Sequence, residues 1–215
     1  MMRLASLLIV LVCCCCATPA NAAVATADAA AALVDNAELA GLYAQDQADR
    51  NGDHIDWTVV TPRDHTRQAR ARALLSAGSI RSAADYHHAA MIFQHGDKAD
   101  DIRLANALAT LAMELSPDTK GYRWLTAATW DRLLMYKRQP QWYGTQFSGD
   151  SKGMYLYPTA EDAVTDEERK LMVGHTLAES RDHVKVAAKE SGLPVRSNPP
   201  TIQELRREAD ITGGQ

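Results

Sequence analysis

The residues best suited to chemistry near neutral pH are histidines, and three of them fall in one short stretch, 85–96, as His87, His88 and His95. On a helix, Asp85, His88, Ile92 and His95 share one face, and Tyr86, Ala90 and Phe93 share the neighbouring, apolar one. Asp85, His88 and His95 carry the donor atoms that zinc accepts. His88 and His95, however, would stand two helical turns apart, about 10 Å, too far to share one ion. No metal site is therefore expected. His88 or His95 as a general acid or base is one alternative, and hydrogen-bonded, partly buried histidines are the other.

A second stretch, 139–147, reads Gln-Pro-Gln-Trp-Tyr-Gly-Thr-Gln-Phe. Its polar groups are amides and hydroxyls. Gln141 and Gln146 can donate and accept at once, and so can read a polar ligand. Trp142 and Tyr143 offer flat faces for stacking, Thr145 a hydroxyl, and Gly144 a close backbone approach. The alternative is a non-helical strap whose amides satisfy backbone groups.

Charges also interrupt apolar helix faces. Asp46 and Arg50 continue the stripe of Leu39 and Tyr43. Asp64 and Arg67 continue that of Ala71 and Leu74. Asp131 shares a face with Trp124, Ala128 and Met135, with Arg132 beside it. Inward charges must be paired or line a wet cleft. If they converge with His88, His95 and Gln146 they make a polar pocket; otherwise they are separate ion pairs. No phosphate loop, His-Glu-x-x-His, nucleophile elbow or nucleotide fingerprint is present, and no cofactor is expected.

These residues need a helical frame. Periodicity and caps predict helices over 37–50 (Asn36 as cap), 61–77 (Thr61 as cap, Pro62 first), 83–95 (Ser82 to Asp85 as a capping box), 100–115 and 121–136. A short extended piece is expected at 55–60. The fifth helix, with Trp124, Leu125, Ala128, Trp130, Leu133, Leu134 and Met135, reads as buried on many sides. Residues 137–158 lack helical period and hold a turn signal, 149–153, ahead of an alternating strand, 154–157. The Thr165 to Glu168 capping box opens a helix or helix pair reaching about 190, and a short peripheral helix follows Pro200. The fold class is all-α: a bundle or short array of antiparallel, tetratricopeptide-like hairpins, crossed by an irregular strap or small β-hairpin at 137–158.

Arg3 followed by the apolar run 7–16 and Ala20-Asn21-Ala22 reads as a signal peptide, 1–22, cleaved near Ala22. The run is shorter than the roughly 20 residues a spanning helix needs. A lipoprotein is disfavoured, because no small residue precedes the cysteines at 13–16 other than cysteine itself. All four cysteines lie in that segment, so the mature chain has no thiol chemistry. An Ala-rich leader, 23–36, the helical domain, 37–192, and a C-terminal segment, 193–215, follow. Location is expected to be periplasmic or secreted. The formal net charge of −4 and the lack of a basic stripe argue against nucleic acid as a partner, and the mature chain has no membrane span.

The segment Gln141-x-Tyr143-Gly144-Thr145-Gln146 resembles a family of uncharacterised bacterial proteins, a domain of unknown function. Asp131-Arg132, Gln94-His95 and Asp46-Gln47-x-x-Arg50 match its shorter motifs. The resemblance covers about 38–180 and implies that these scattered polar residues act as one constellation. The leading expectation is a binding or interaction module whose site includes Gln94, Arg132, Gln141, Tyr143, Gly144, Thr145 and Gln146, taking a small polar ligand or an envelope protein. The alternatives are a hydrolase or lyase, with His88 or His95 as base oriented by Asp131, and a structural envelope protein without a ligand.

Overall fold

The computed structural model describes residues 33–52 and 55–212, with the side chains of 211 and 212 excepted. The signal segment 1–22, its cysteines and most of the leader 23–36 lie outside the described residues. Among those described, eight helices and one two-stranded sheet follow in order: α1 Ala37–Ala48, α2 Trp57–Ser76, α3 Ala83–Gln94, α4 Ala99–Leu115, α5 Lys120–Tyr136, β1 Phe147–Asp150, β2 Gly153–Leu156, α6 Asp166–Val173, α7 Leu177–Ser191 and α8 Ile202–Thr212. The chain is an all-α bundle with a small hairpin, as the periodicity predicts.

Local chemistry places most helix starts. Asn36 accepts from the Leu39 amide, and Ser82 and Asp85 form a complete capping box. The apolar core joins Leu39, Ala71, Leu74, Ile80, Ala89, Ile92, Phe93, Ala105, Leu108 and Leu125, contributed by α1 to α5 and the loop before α3. Alanines at 89, 90, 105, 109 and 112 are fully buried, and these small side chains let α3 pack closely along α4. A second cluster, Ala127, Tyr143, Val164 and Val173, lies under the strap. No helix among the described residues is long and apolar enough to cross a membrane.

Three local expectations are corrected. Residues 57–60 are helical, not extended: Asp56 caps α2 by accepting from the Thr58 amide at 3.0 Å and its hydroxyl at 2.6 Å. Pro62 is then the sixth residue of the helix, not the first, and the turn ahead of it buries Val60. At Thr165 only half of the capping box forms. The hydroxyl accepts from the Glu168 amide, but the Glu168 carboxylate instead takes the Tyr143 hydroxyl. Within the described part of the C-terminal segment, 193–212, two places bond to earlier elements. Met154 donates to Pro194 O, and Arg206 donates to Arg138 O and the Gln139 amide oxygen.

Candidate functional site

Two polar regions meet α5, and its adjacent residues Asp131 and Arg132 serve one each. Asp131 is fully buried and accepts four hydrogen bonds: from the amides of Trp142 (2.7 Å), Tyr143 (3.1 Å) and Thr145 (3.1 Å) and from the Thr145 hydroxyl (2.9 Å). Burial pushes its carboxyl up, and these donors pull it back. Gln141, also fully buried, donates to Gln146 O (3.0 Å) and Tyr157 O (2.7 Å) and accepts from the Gln146 amide (2.8 Å). Gln146 donates to Ala128 O and to the Thr145 hydroxyl. Tyr143 is raised above the ordinary phenol range by burial and by its bond to Glu168. Gly144 adopts φ 78°, and a Cβ there would stand 2.8 Å from the Ser180 hydroxyl oxygen, so only glycine fits.

These residues lock the strap. Both amide hydrogens and the carbonyl oxygen of Gln141 are engaged within the chain. Trp142 packs edge-on against Trp130. A buried arginine the sequence did not single out, Arg169, closes the lock by donating to Trp142 O (3.0 Å) and Glu161 O (2.9 Å). Its i,i+3 pair with Asp166 (3.2 Å) is the one local signal; the acceptors that close the lock are backbone carbonyls 8 and 27 residues away.

The other region gathers the inward charges of α1 and α2 into one network rather than separate pairs. Arg50 bonds Asp46 (3.0 Å) and Asp64 (2.6 Å). Arg67 bonds Asp64 (2.6 Å) and Asp49 (2.8 Å), and Arg63 bonds Asp49 (2.7 Å). His95, the C-cap of α3, sets Nδ1 3.0 Å from both Asp46 oxygens. Burial raises the Asp46 carboxyl, but the His95 hydrogen bond and the charges of His95 and Arg50 outweigh it and hold it below its ordinary range. Asp49 is lowered chiefly by its bond to Arg67. The His95 and Arg50 side chains are 18% and 16% exposed, so the outer edge of the network meets solvent.

Arg132 lies at this edge. It is close enough to Arg50 for their charges to repel, and its guanidinium contacts the Tyr136 hydroxyl. Burial lowers its pKa. Its Nε is buried without a partner, and so is the amide oxygen of Gln94, next to His95. Among the described residues Arg132 has no ion pair.

Several expected groupings do not form. Asp131 faces the strap and does not orient a histidine; the carboxylate that holds His95 is Asp46, 49 residues upstream. Gln141, Tyr143, Gly144, Thr145 and Gln146 are turned into the strap lock and do not line an open pocket with His88 and His95. Asp85 is no ligand but a cap, accepting from the amides of Asn36, Arg81 and Ser82. His88 stacks on Tyr43 at 4.4 Å, and His87 lies 4.8 Å from Tyr122. Burial and the neighbouring His88 push His87 down to about 4, and burial also lowers His88. No group of three or more metal-binding side chains is assembled among the described residues.

No family model, curated protein or solved structure matches the chain.

Proposed function

We propose that this protein is an exported bacterial binding module, and that it takes a small anionic ligand at the edge formed by Arg132, Arg50 and His95. One observation carries this. In the network three arginines (50, 63 and 67) bond three aspartates (46, 49 and 64), and a fourth arginine, Arg132, mostly buried and near Arg50, has no ion pair among the described residues and an unsatisfied Nε. A buried charge without a counter-ion is costly, and an anion bound there would offset that cost with a charge-assisted hydrogen bond. The resemblance supports the same place. Asp46, Arg50, Gln94, His95 and Arg132, all within its short motifs, lie in this network or next to it. Export rests on the segment 1–22.

A thermal shift series tests the proposal with inorganic phosphate, sulfate, short carboxylates and acidic sugars. At least one anion should raise the unfolding midpoint of the wild type, since ligand bound only to the folded state stabilises it. Arg132→Met should abolish the shift while leaving the unliganded midpoint near that of wild type. The proposal fails if none of these anions moves the midpoint, or if the shift survives in Arg132→Met.

A hydrolase or lyase is the second reading, favoured by the His95–Asp46 pair. With Nδ1–H donating to Asp46, the Nε2 lone pair is left outward as a proton acceptor, an oriented general base. An enzyme of this kind would lose turnover in His95→Ala while keeping anion binding. A purely structural envelope protein would show neither binding nor turnover.

A further inference from the structure

A different face of the molecule holds a second concavity, unrelated to the charged network. It has a volume of about 480 Å³ and is walled by the first turn of α5 (Lys120, Arg123, Trp124) and the end of α6 (Lys170, Leu171, Val173). That volume is in the range of small-molecule sites.

Three cations line the cleft and no carboxylate does, on a chain whose formal charge is −4. Neither Lys120 nor Lys170 is in an ion pair among the described residues. The charge of Lys170 is felt by Asp166 and Glu179, but neither carboxylate lines the cleft. Arg123 bridges the two walls, donating through Nε to Leu171 O at 3.0 Å and through a terminal nitrogen to Pro117 O. Its partners are neutral carbonyls, so its charge is not cancelled.

Two large apolar side chains that the fold leaves uncovered line the same cleft. Trp124 belongs to the apolar run of α5 and by its position should be buried, yet it is 41% exposed; Leu171 is 62% exposed. Apolar surface inside a concavity has more to gain from a ligand than the same surface on a convex face. An indole face suits a flat or ring-shaped partner, and flanking ammonium and guanidinium groups suit a carboxylate or phosphate.

We propose that this cleft is a second binding site, and that it takes a small organic anion bearing a ring, with the ring against Trp124 and the anionic group between Lys120, Arg123 and Lys170. The need for a ring follows from Trp124 and Leu171, and the need for charge from three cations that line the cleft with no carboxylate among its lining residues. Neutral rings and ringless anions each satisfy only half of the site.

Tryptophan fluorescence tests this on the full mature chain, with benzoate and glucuronate as ring-bearing anions, glucose as a neutral ring and inorganic phosphate as a ringless anion. Benzoate or glucuronate should quench emission saturably, glucose and phosphate should bind much more weakly, and added salt should weaken the ring-bearing anions. The quench should vanish in Trp124→Phe and persist in Arg132→Met, which separates this site from the charged network. Lys120→Gln with Lys170→Gln, both exposed and in no ion pair among the described residues, should weaken binding by roughly tenfold or more. The proposal is overturned if neither ring-bearing anion quenches up to about 50 mM, the limit of even weak affinity. It is equally overturned if the quench survives in Trp124→Phe, or if the double lysine variant binds as tightly as wild type.

Discussion

Asp131 and Arg132 are consecutive on α5, yet one completes its surroundings and the other does not. Around Asp131 every donor is a backbone amide or a short hydroxyl held at a fixed place in the strap, and both carboxylate oxygens are engaged. Gln141 and Gln146 close the same lock with amides that match donor to acceptor. Arg132 has no ion pair among the described residues: its guanidinium contacts the Tyr136 hydroxyl, and its charged neighbour Arg50 is a like charge already bonded to Asp46 and Asp64. The first arrangement is what a fold needs to hold a non-helical segment, because unsatisfied buried backbone groups are expensive. The second keeps a buried guanidinium nitrogen without a partner near side chains, His95 and Arg50, that reach solvent.

If that contrast is right, the two regions respond differently to loss of a side chain. The largest effect is expected for Asp131→Ala, which orphans four donors at once and should cost about 3–5 kcal/mol of unfolding free energy. Urea denaturation measures it, and a loss under about 1 kcal/mol would mean that the strap is held by something else. Gln141→Ala should follow at roughly 2–3 kcal/mol, since it removes one acceptor and two donors from a fully buried place.

Acid should strike elsewhere. The folded pKa of His87 is depressed from 6.5 to about 4, so the unfolded chain takes up its proton first. Stability from this group is complete above pH 6.5 and is lost as pH falls from there to about 4. Asp46 is also depressed, so its contribution is present above its ordinary carboxylate pKa and is lost at still lower pH, as pH falls through its folded value. Unfolding free energies measured from pH 7 to 2 should therefore decline in two stages. His87→Asn should reduce the first and leave the second, since His88 is also depressed, and Asp46→Asn should reduce the second, since Asp49 is also depressed.

The smallest effect is expected for Arg132→Met, whose stability should stay within about 1 kcal/mol of wild type or rise, because an uncompensated buried cation is replaced by an apolar side chain of similar reach. A loss of about 3 kcal/mol or more in the same denaturation experiment would place Arg132 with the strap lock and dissolve the contrast between the regions.

The frame was largely legible before any coordinates. Helical periodicity located α1 and α3 to α5, Asn36 and Ser82 marked the first and third starts, and the 149–153 turn marked the hairpin. The start of α2 was not, because Thr61-Pro62 carries a strong local signature while the cap at Asp56 works through a side chain that spacing alone does not favour. The mistaken partner of Asp131 has a similar origin. On a helix wheel Asp131 and Arg132 are simply two polar residues near an apolar face. That they point to different regions depends on where the strap and α1 are packed around α5.

The sequence by itself determined which residue types are available, the helical period that buries one face of each segment, and the polar motifs that interrupt those faces. Those are local properties, set by side-chain chemistry and by spacings of three or four residues. Only the tertiary structure decided that Asp46 rather than Asp131 holds His95, that Gln141 and Gln146 face inward to the backbone, and that Arg132 is left without a counter-ion. Each of these depends on contacts between segments distant in the chain. Hydrogen-bond partners are chosen by distances of a few ångströms, which sequence separations of 11 to 49 residues do not encode.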